Sequence, residues 1–243
     1  MMTPTRILRR PNQSDIAEVL SQTVCVMPVF NEAQVLTHVL QEFREVFPNV
    51  LCVDDGSDDE SSEIAVRLGA RVVRHALNIG QGGALCTAFS LIRGEGGIKY
   101  VVTVDADGQH RPSDALAAVQ LLVSSNSDVV FASRFLERDV TKIPFSKRLL
   151  LRTIVRVRQL VTGIMLTDSH NGLRAIRAEA LSLLPINHFG MAHASEIVSR
   201  CVKSGLSYLE VPVRVEYTAY SRRKGQSILN SVNIALDFLW RPN

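Results

Sequence analysis

Asp105 and Asp107 stand one residue apart where an apolar run, residues 99–104, gives way to Asp-Ala-Asp-Gly-Gln-His. In a strand, residues i and i+2 share a face, so a strand ending here presents both carboxylates to the same side. Two acids so placed repel one another, and a cation between them relieves the repulsion. Hard divalent ions such as Mg2+ or Mn2+ take carboxylate and phosphate oxygens, which makes a metal carrying a diphosphate the natural guest. Taken alone, the same pair also describes a solvated acidic turn.

Other chemistry-bearing stretches also follow apolar runs. Pro28-Val29-Phe30-Asn31-Glu32 closes the first, and Asp54-Asp55-Gly56-Ser57 closes the second. A carboxylate at a strand end can accept hydrogen bonds from a base or a ribose hydroxyl, although Asp-Gly-Ser is equally ordinary turn chemistry. Asn78-x-Gly80-x-Gly82-Gly83-Ala84 opens an apolar helix-like segment. Backbone amides and small residues there would let a ligand approach closely. Its spacing is not that of a dinucleotide fingerprint, and no P-loop is present.

The elements that must position these residues alternate between strand-like and helix-like. Strands are expected at 23–30, 50–53, 71–74, 99–104 and 128–133. Helices are expected at 32–47, 61–68, 81–92 and 113–124, the last with Ser113 as N-cap. Continuous apolar strands in a βαβ rhythm imply a mainly parallel sheet with helices on both faces, which places ligands beyond the carboxyl ends of the strands. Residues 208–217 read as an edge strand because Pro212 interrupts them. His188 and His193 read as structural.

After residue 136 the pattern changes. Lys142, Lys147, Arg148, Arg152, Arg156 and Arg158 interleave with apolar residues, and no acid appears before Asp168. A basic amphipathic helix suits a membrane surface or a partner, and an ordinary surface helix covering a sheet edge has the same composition. The net charge of +3 over 243 residues is too small to argue for nucleic acid. The four cysteines are far apart with no C-x-x-C pair, which excludes a zinc site of that kind and suggests a reducing compartment. No apolar h-region and no run of about 18 apolar residues is seen. The expected location is cytoplasmic.

In this order and spacing, these stretches, with Ser133-Arg134 and Asp168-x-x-x-Gly172-x-Arg174, resemble the GT-A family 2 glycosyltransferases, nearest the dolichyl- and polyprenyl-phosphate sugar synthases. The resemblance implies an α/β, Rossmann-like GT-A fold, a mainly parallel sheet flanked by helices, with amphipathic interface helices and a C-terminal helix. Residues 1–22 would be an N-terminal extension and 23–243 the GT-A domain. Within that domain, 143–165 would form the interface segment and 218–240 the acceptor loop and C-terminal helix.

The resemblance also assigns roles. Pro28, Phe30, Glu32, Val53 and Asp55 would hold the donor nucleoside, with Ala106, Asp107, Gln109, Arg222 and Ser227 completing the donor site. Asp105, Asp107 and Gln109 would hold Mg2+ or Mn2+. Asp168, Arg134 and Arg222 would serve catalysis near the diphosphate and the acceptor phosphate. The implied reaction is inverting, metal-dependent transfer of a sugar from a nucleotide-sugar donor to a polyprenyl phosphate at the inner face of the cell membrane. Attachment would be peripheral or through a separate small membrane protein. The alternative is a soluble family 2 enzyme acting on a saccharide hydroxyl. Two departures stand out: Ser227 is followed by Ile228-Leu229 where Lys-Leu is usual, and polar His170-Asn171 occupy positions where small or apolar residues are common.

Overall fold

The computed structural model describes residues 13–136 and 166–215. Its centre is a seven-stranded sheet of order β3-β2-β1-β4-β6-β5-β7 among those residues. The strands are β1 (Thr23–Val29), β2 (Asn49–Asp54), β3 (Arg71–Arg74), β4 (Tyr100–Thr103), β5 (Val129–Ser133), β6 (Arg174–Arg177) and β7 (Tyr208–Pro212). The β1–β2, β1–β4, β2–β3 and β5–β7 pairings are parallel. Strand β6 runs antiparallel to both of its neighbours.

Period-two alternation along buried strands feeds two cores. Cys25, Met27 and Val102 point to the side of α2 (Ala33–Val46), α3 (Ser61–Arg67) and α5 (Pro112–Ser125), where Phe43, Phe47 and Leu122 pack. Val24, Val26, Val101 and Ile176 point to the opposite side, among Leu85, Phe89 and Ile92 of α4 (Gln81–Arg93) and Ile197, Val198 and Cys201 of α6 (His193–Lys203). A first helix, α1 (Gln13–Ser21), leads into β1, and the Thr23 hydroxyl donates to the Val19 carbonyl at 2.6 Å. It lies within what the sequence suggested was an extension.

The strands and helices expected between residues 23 and 133 form within one or two residues of their predicted bounds. Helix α5 begins at Pro112, one residue early, with Arg111 at the cap position and no side-chain cap bond, so Ser113 is not its N-cap. Pro112 fits there because the first turn leaves amides unbonded and proline lacks one. Strand β7 is an edge strand, as expected, but it ends at Pro212 rather than running on to 217, since proline has no amide to extend the ladder. Strand β6, the 3-10 turn Ala178–Leu183 and α6 were not anticipated. Residues 143–165 and the C-terminal helix lie outside the described residues.

The chain winds outward from β1 to β3, then crosses through α4 to β4 on the other side of β1. That reversal is a topological switch point, where loops diverge and leave a crevice at the carboxyl ends of the strands.

Candidate active site

The first wall of the crevice is made by the exits of β1 and β2, stitched together by short polar side chains. The Asn31 and Glu32 amides donate to the Ser57 and Ser61 hydroxyls, each at 2.9 Å, and the Ala33 amide donates to Asp59 at 3.0 Å. Asn31 takes φ +54°, a conformation Asn tolerates better than most residues. Asp54 receives the Ser57 amide at 2.9 Å and the Ser62 hydroxyl. Asp55 is turned the other way. It accepts the Ile79 amide at 3.0 Å, the Gly80 amide at 2.7 Å and lies 2.8 Å from His75 Nδ1, whose Nε2 is 2.9 Å from the Thr87 hydroxyl.

Among the residues the resemblance assigned to the nucleoside, Phe30 is exposed, Pro28 half-buried and Glu32 buried. Val53 is wholly buried, with its side chain in the α4-side core, and Ala106 is buried on the opposite side. For both, only the backbone can meet a ligand.

Asp105 and Asp107 sit at the exit of β4, beside the switch point. Asp105 accepts the Gln81 side-chain amide at 2.6 Å and lies 3.3 Å from His110 Nε2. Across the β4–β6 register, Thr103 pairs with Arg174 and its hydroxyl donates to the Gly172 carbonyl at 2.7 Å. This brings Gly172 against the Asp105 carboxylate so closely that a Cβ would collide with it. Burial would raise the Asp105 carboxyl, but His110, Arg174 and Gln81 together hold it well below the ordinary carboxylate range. Asp107 has the opposite fate: burial and the neighbouring Asp105 charge push it up to about 6. Its oxygens accept the Gln109 backbone amide at 3.0 Å and the Gln109 side chain at 2.7 Å. Gln109 therefore orients Asp107 in this state.

Among the described residues, no group of three or more His, Cys, Asp or Glu side chains could enclose a metal. Two carboxylates, one of them with a charge still uncompensated, fit a hard divalent ion that brings its remaining oxygen ligands with it, as a diphosphate does.

The far wall is an ion pair. Arg134, just past β5, donates to Asp168 through Nε at 2.6 Å and Nη2 at 2.8 Å, and its backbone amide lies 3.2 Å from the same carboxylate. Burial would raise Asp168, yet the Arg134 charge and hydrogen bonds keep it below its ordinary value. Glu210 on β7 secures the preceding turn: its Oε1 accepts the Thr167 amide and hydroxyl, each at 2.8 Å, and the Asp168 amide at 3.2 Å. Asp168 and Arg134 are thus brought together as a buried ion pair.

The glycine stretch has a different use from the one expected. The Gly82 amide donates to the Phe189 carbonyl at 2.7 Å, and a Cβ on Gly80 or Gly82 would strike the backbone of residues 188–189. The close approach that small residues allow here is taken by the protein itself. His188 lies 3.1 Å from Glu196 and His193 Nδ1 lies 2.7 Å from the Gly190 carbonyl, so both shape this segment, as a structural reading expects. Arg222 and Ser227 lie outside the described residues.

Gln81, Arg174 and Glu210 belong to this site although no role was read for them in the sequence. Gln81 could have been found from its place at the start of α4, beside the glycines. Glu210 carries no such signal, because it is one acid in an edge strand.

The family profile described as glycosyl transferase family 2 matches residues 24–184. An uncharacterised protein of Methanocaldococcus jannaschii is 34% identical, covering 94% of this chain and 95% of its own. A UDP-N-acetylglucosamine–dolichyl-phosphate N-acetylglucosaminyltransferase of Methanococcus voltae is 28% identical, covering 84% and 89%. The fold is that of glucosyl-3-phosphoglycerate synthase from Mycobacterium tuberculosis, solved with Mn2+ and UDP-glucose, at a TM-score of 0.69 and 18% identity over 95% of this chain and 82% of that one. With its switch-point carboxylates on a GT-A sheet and a family match running from β1 through the 3-10 turn, the chain belongs to glycosyltransferase family 2.

Proposed function

We propose that this glycosyltransferase moves a sugar, with inversion, from a nucleotide-sugar donor to a polyprenyl phosphate at the cytoplasmic face of a membrane. The observation that carries this reading is the bidentate Arg134–Asp168 pair. A hydroxyl acceptor needs a base to take its proton, and an effective base has a pKa near the working pH. Asp168 is the wrong kind of group for that task, being ion-paired and held below its ordinary value. A phosphate acceptor arrives as an anion and needs no base; it needs positive charge. Asp168 then aims Arg134, and the fixed guanidinium steadies an incoming phosphate. The dolichyl-phosphate acceptor in the name of the Methanococcus relative supports the same reading.

Asp105 and Asp107 would hold Mg2+ or Mn2+, which supplies Lewis-acid stabilisation of the departing nucleoside diphosphate. Gln81, His110 and Gly172 fix Asp105 for that purpose. Phe30 and Glu32 would meet the nucleoside, Asp55 would act by holding the Ile79 and Gly80 amides and His75, and Arg222 and Ser227 would close over the donor. No helix among the described residues is long and apolar enough to cross a membrane. The basic stretch 143–165 or a separate membrane protein would make the contact with lipid.

The test is transfer from a panel of radiolabelled nucleotide sugars, with Mn2+, to polyprenyl phosphate in anionic vesicles. Label should pass into the organic phase, and Asp107→Ala should abolish it. Label transferred only to water-soluble saccharides would overturn the lipid-phosphate reading in favour of the hydroxyl-acceptor alternative.

A further inference from the structure

Among the described residues Arg174 is the largest fully buried side chain, at 1% exposure, and its Nε, Nη1 and Nη2 have no hydrogen-bond partner there. A guanidinium stays charged in a protein, and burying one without hydrogen bonds costs several kcal/mol on the usual scale of ion desolvation, about the scale of a whole domain's stability. Something must offset that cost. The β4–β6 register locates the compensation. Arg174 stands opposite Thr103, and beyond this antiparallel pair Gly172, two residues before Arg174, lies against Asp105, two residues after Thr103. Residues paired across strands share a face, so Arg174 and Asp105 lie on the same side of the sheet, the side of α4 and α6. At Gly172 there is no side chain to stand between them. The charges of both Asp105 and Asp168 act on the guanidinium, while neutral His193 packs nearby, its imidazole lowered to about 4 by burial and by Arg174.

We infer that Arg174 is a positioning residue: a buried countercharge, shared by Asp105 and Asp168, that lets the site hold a divalent ion only together with an anionic diphosphate. The inference rests on the metal-and-donor reading above. Its logic is charge balance in a poorly screened interior. Asp105, Asp107 and Asp168, with buried Glu32 acting on Asp107 and Glu210 beside Asp168, face Arg134 and Arg174. Each buried positive charge lowers the affinity of these carboxylates for a free divalent ion, whereas a sugar-nucleotide diphosphate brings two negative charges of its own to the metal. Without Arg174 the same carboxylates would carry one more uncompensated negative charge and would bind a free divalent ion more tightly. Because its atoms are sealed from solvent, Arg174 exerts this effect through Asp105 and Asp168 rather than by touching substrate.

The experiment is Mn2+ binding to the full chain, followed by the electron paramagnetic resonance signal of free Mn2+, alone and with inorganic pyrophosphate. Wild type should bind Mn2+ weakly alone and at least about tenfold more tightly with pyrophosphate. R174M should bind Mn2+ alone about tenfold more tightly than wild type, and R174K, which keeps the charge, should stay within about threefold of wild type. R174M that is folded but binds Mn2+ no more tightly than wild type would overturn the countercharge role, because loss of a merely structural contact weakens a site. Should R174M fail to fold, D105N/R174M decides: recovery of a cooperative melt supports shared charge, and no recovery overturns it. Sugar transfer absent while Mn2+–pyrophosphate binding persists would sink the proposed function alone. Wild type taking up no Mn2+ even with pyrophosphate would sink the metal reading and this role with it.

Discussion

Asp107 holds its charge against its surroundings, since burial and Asp105 lift it to about 6. An acid whose folded pKa is raised above its unfolded value loses stability as pH rises from about 4 to about 6, and stays penalised above that. Asp107→Asn removes the charge, so its melting temperature should exceed that of wild type at pH 7.5 and match it below about pH 4, while transfer is lost. Asp168 has the reverse sign. Its lowered value means that its contribution is complete above about pH 4 and drains away as pH falls through the folded value. Asp168→Asn breaks a buried bidentate pair and should cost roughly 3 kcal/mol in chemical denaturation at pH 7. The variant should also show a flatter acid limb than wild type. Gly172 offers a purely steric check. A methyl there meets the Asp105 carboxylate, so Gly172→Ala should reduce kcat far more than an alanine at exposed Gly96, where nothing lies within 4 Å of the added carbon.

Two elements do the positioning. Strand β6 returns antiparallel between β4 and β5, and this return sets residues 166–173 across both strand exits, with Asp168 at Arg134 and Gly172 at Asp105. Glu210 ties that segment to the sheet edge. Glu210→Ala leaves two amides and a hydroxyl without their acceptor and should cost about 1–3 kcal/mol, with a matching loss of transfer because Arg134 is no longer fixed. The second element is residues 187–192, which cross the start of α4. Gly82→Ala should destabilise by about 1–3 kcal/mol through overpacking against residues 188–189, measurable as a lower denaturation midpoint.

At the scale of the molecule, the reversal of strand order at β1 and β4 concentrates three strand exits around one crevice, so donor binding should report on global stability. A nucleotide sugar present with Mn2+ at 100 times its dissociation constant should stabilise the fold by about 2.7 kcal/mol, read by thermal shift. Asp107→Ala should abolish that gain.

The sequence by itself determined the sheet's parallel strands, because uninterrupted runs such as Val24-Cys25-Val26-Met27 are apolar on both faces and need cover on both. It also placed Asp105 and Asp107 just past a strand exit, because the apolar run stops at Val104, whereas the turn beyond Thr103 decides how they face. It did not determine β6, four residues bounded by arginines, whose strand conformation comes from the β4 and β5 partners on either side. Nor did it determine what the glycines before α4 admit, since a ligand and a neighbouring backbone ask for the same empty space. Arg174 shows the limit most clearly. In sequence it is the last letter of a motif, and only long-range pairing, which local composition does not encode, makes it the buried charge between two carboxylates.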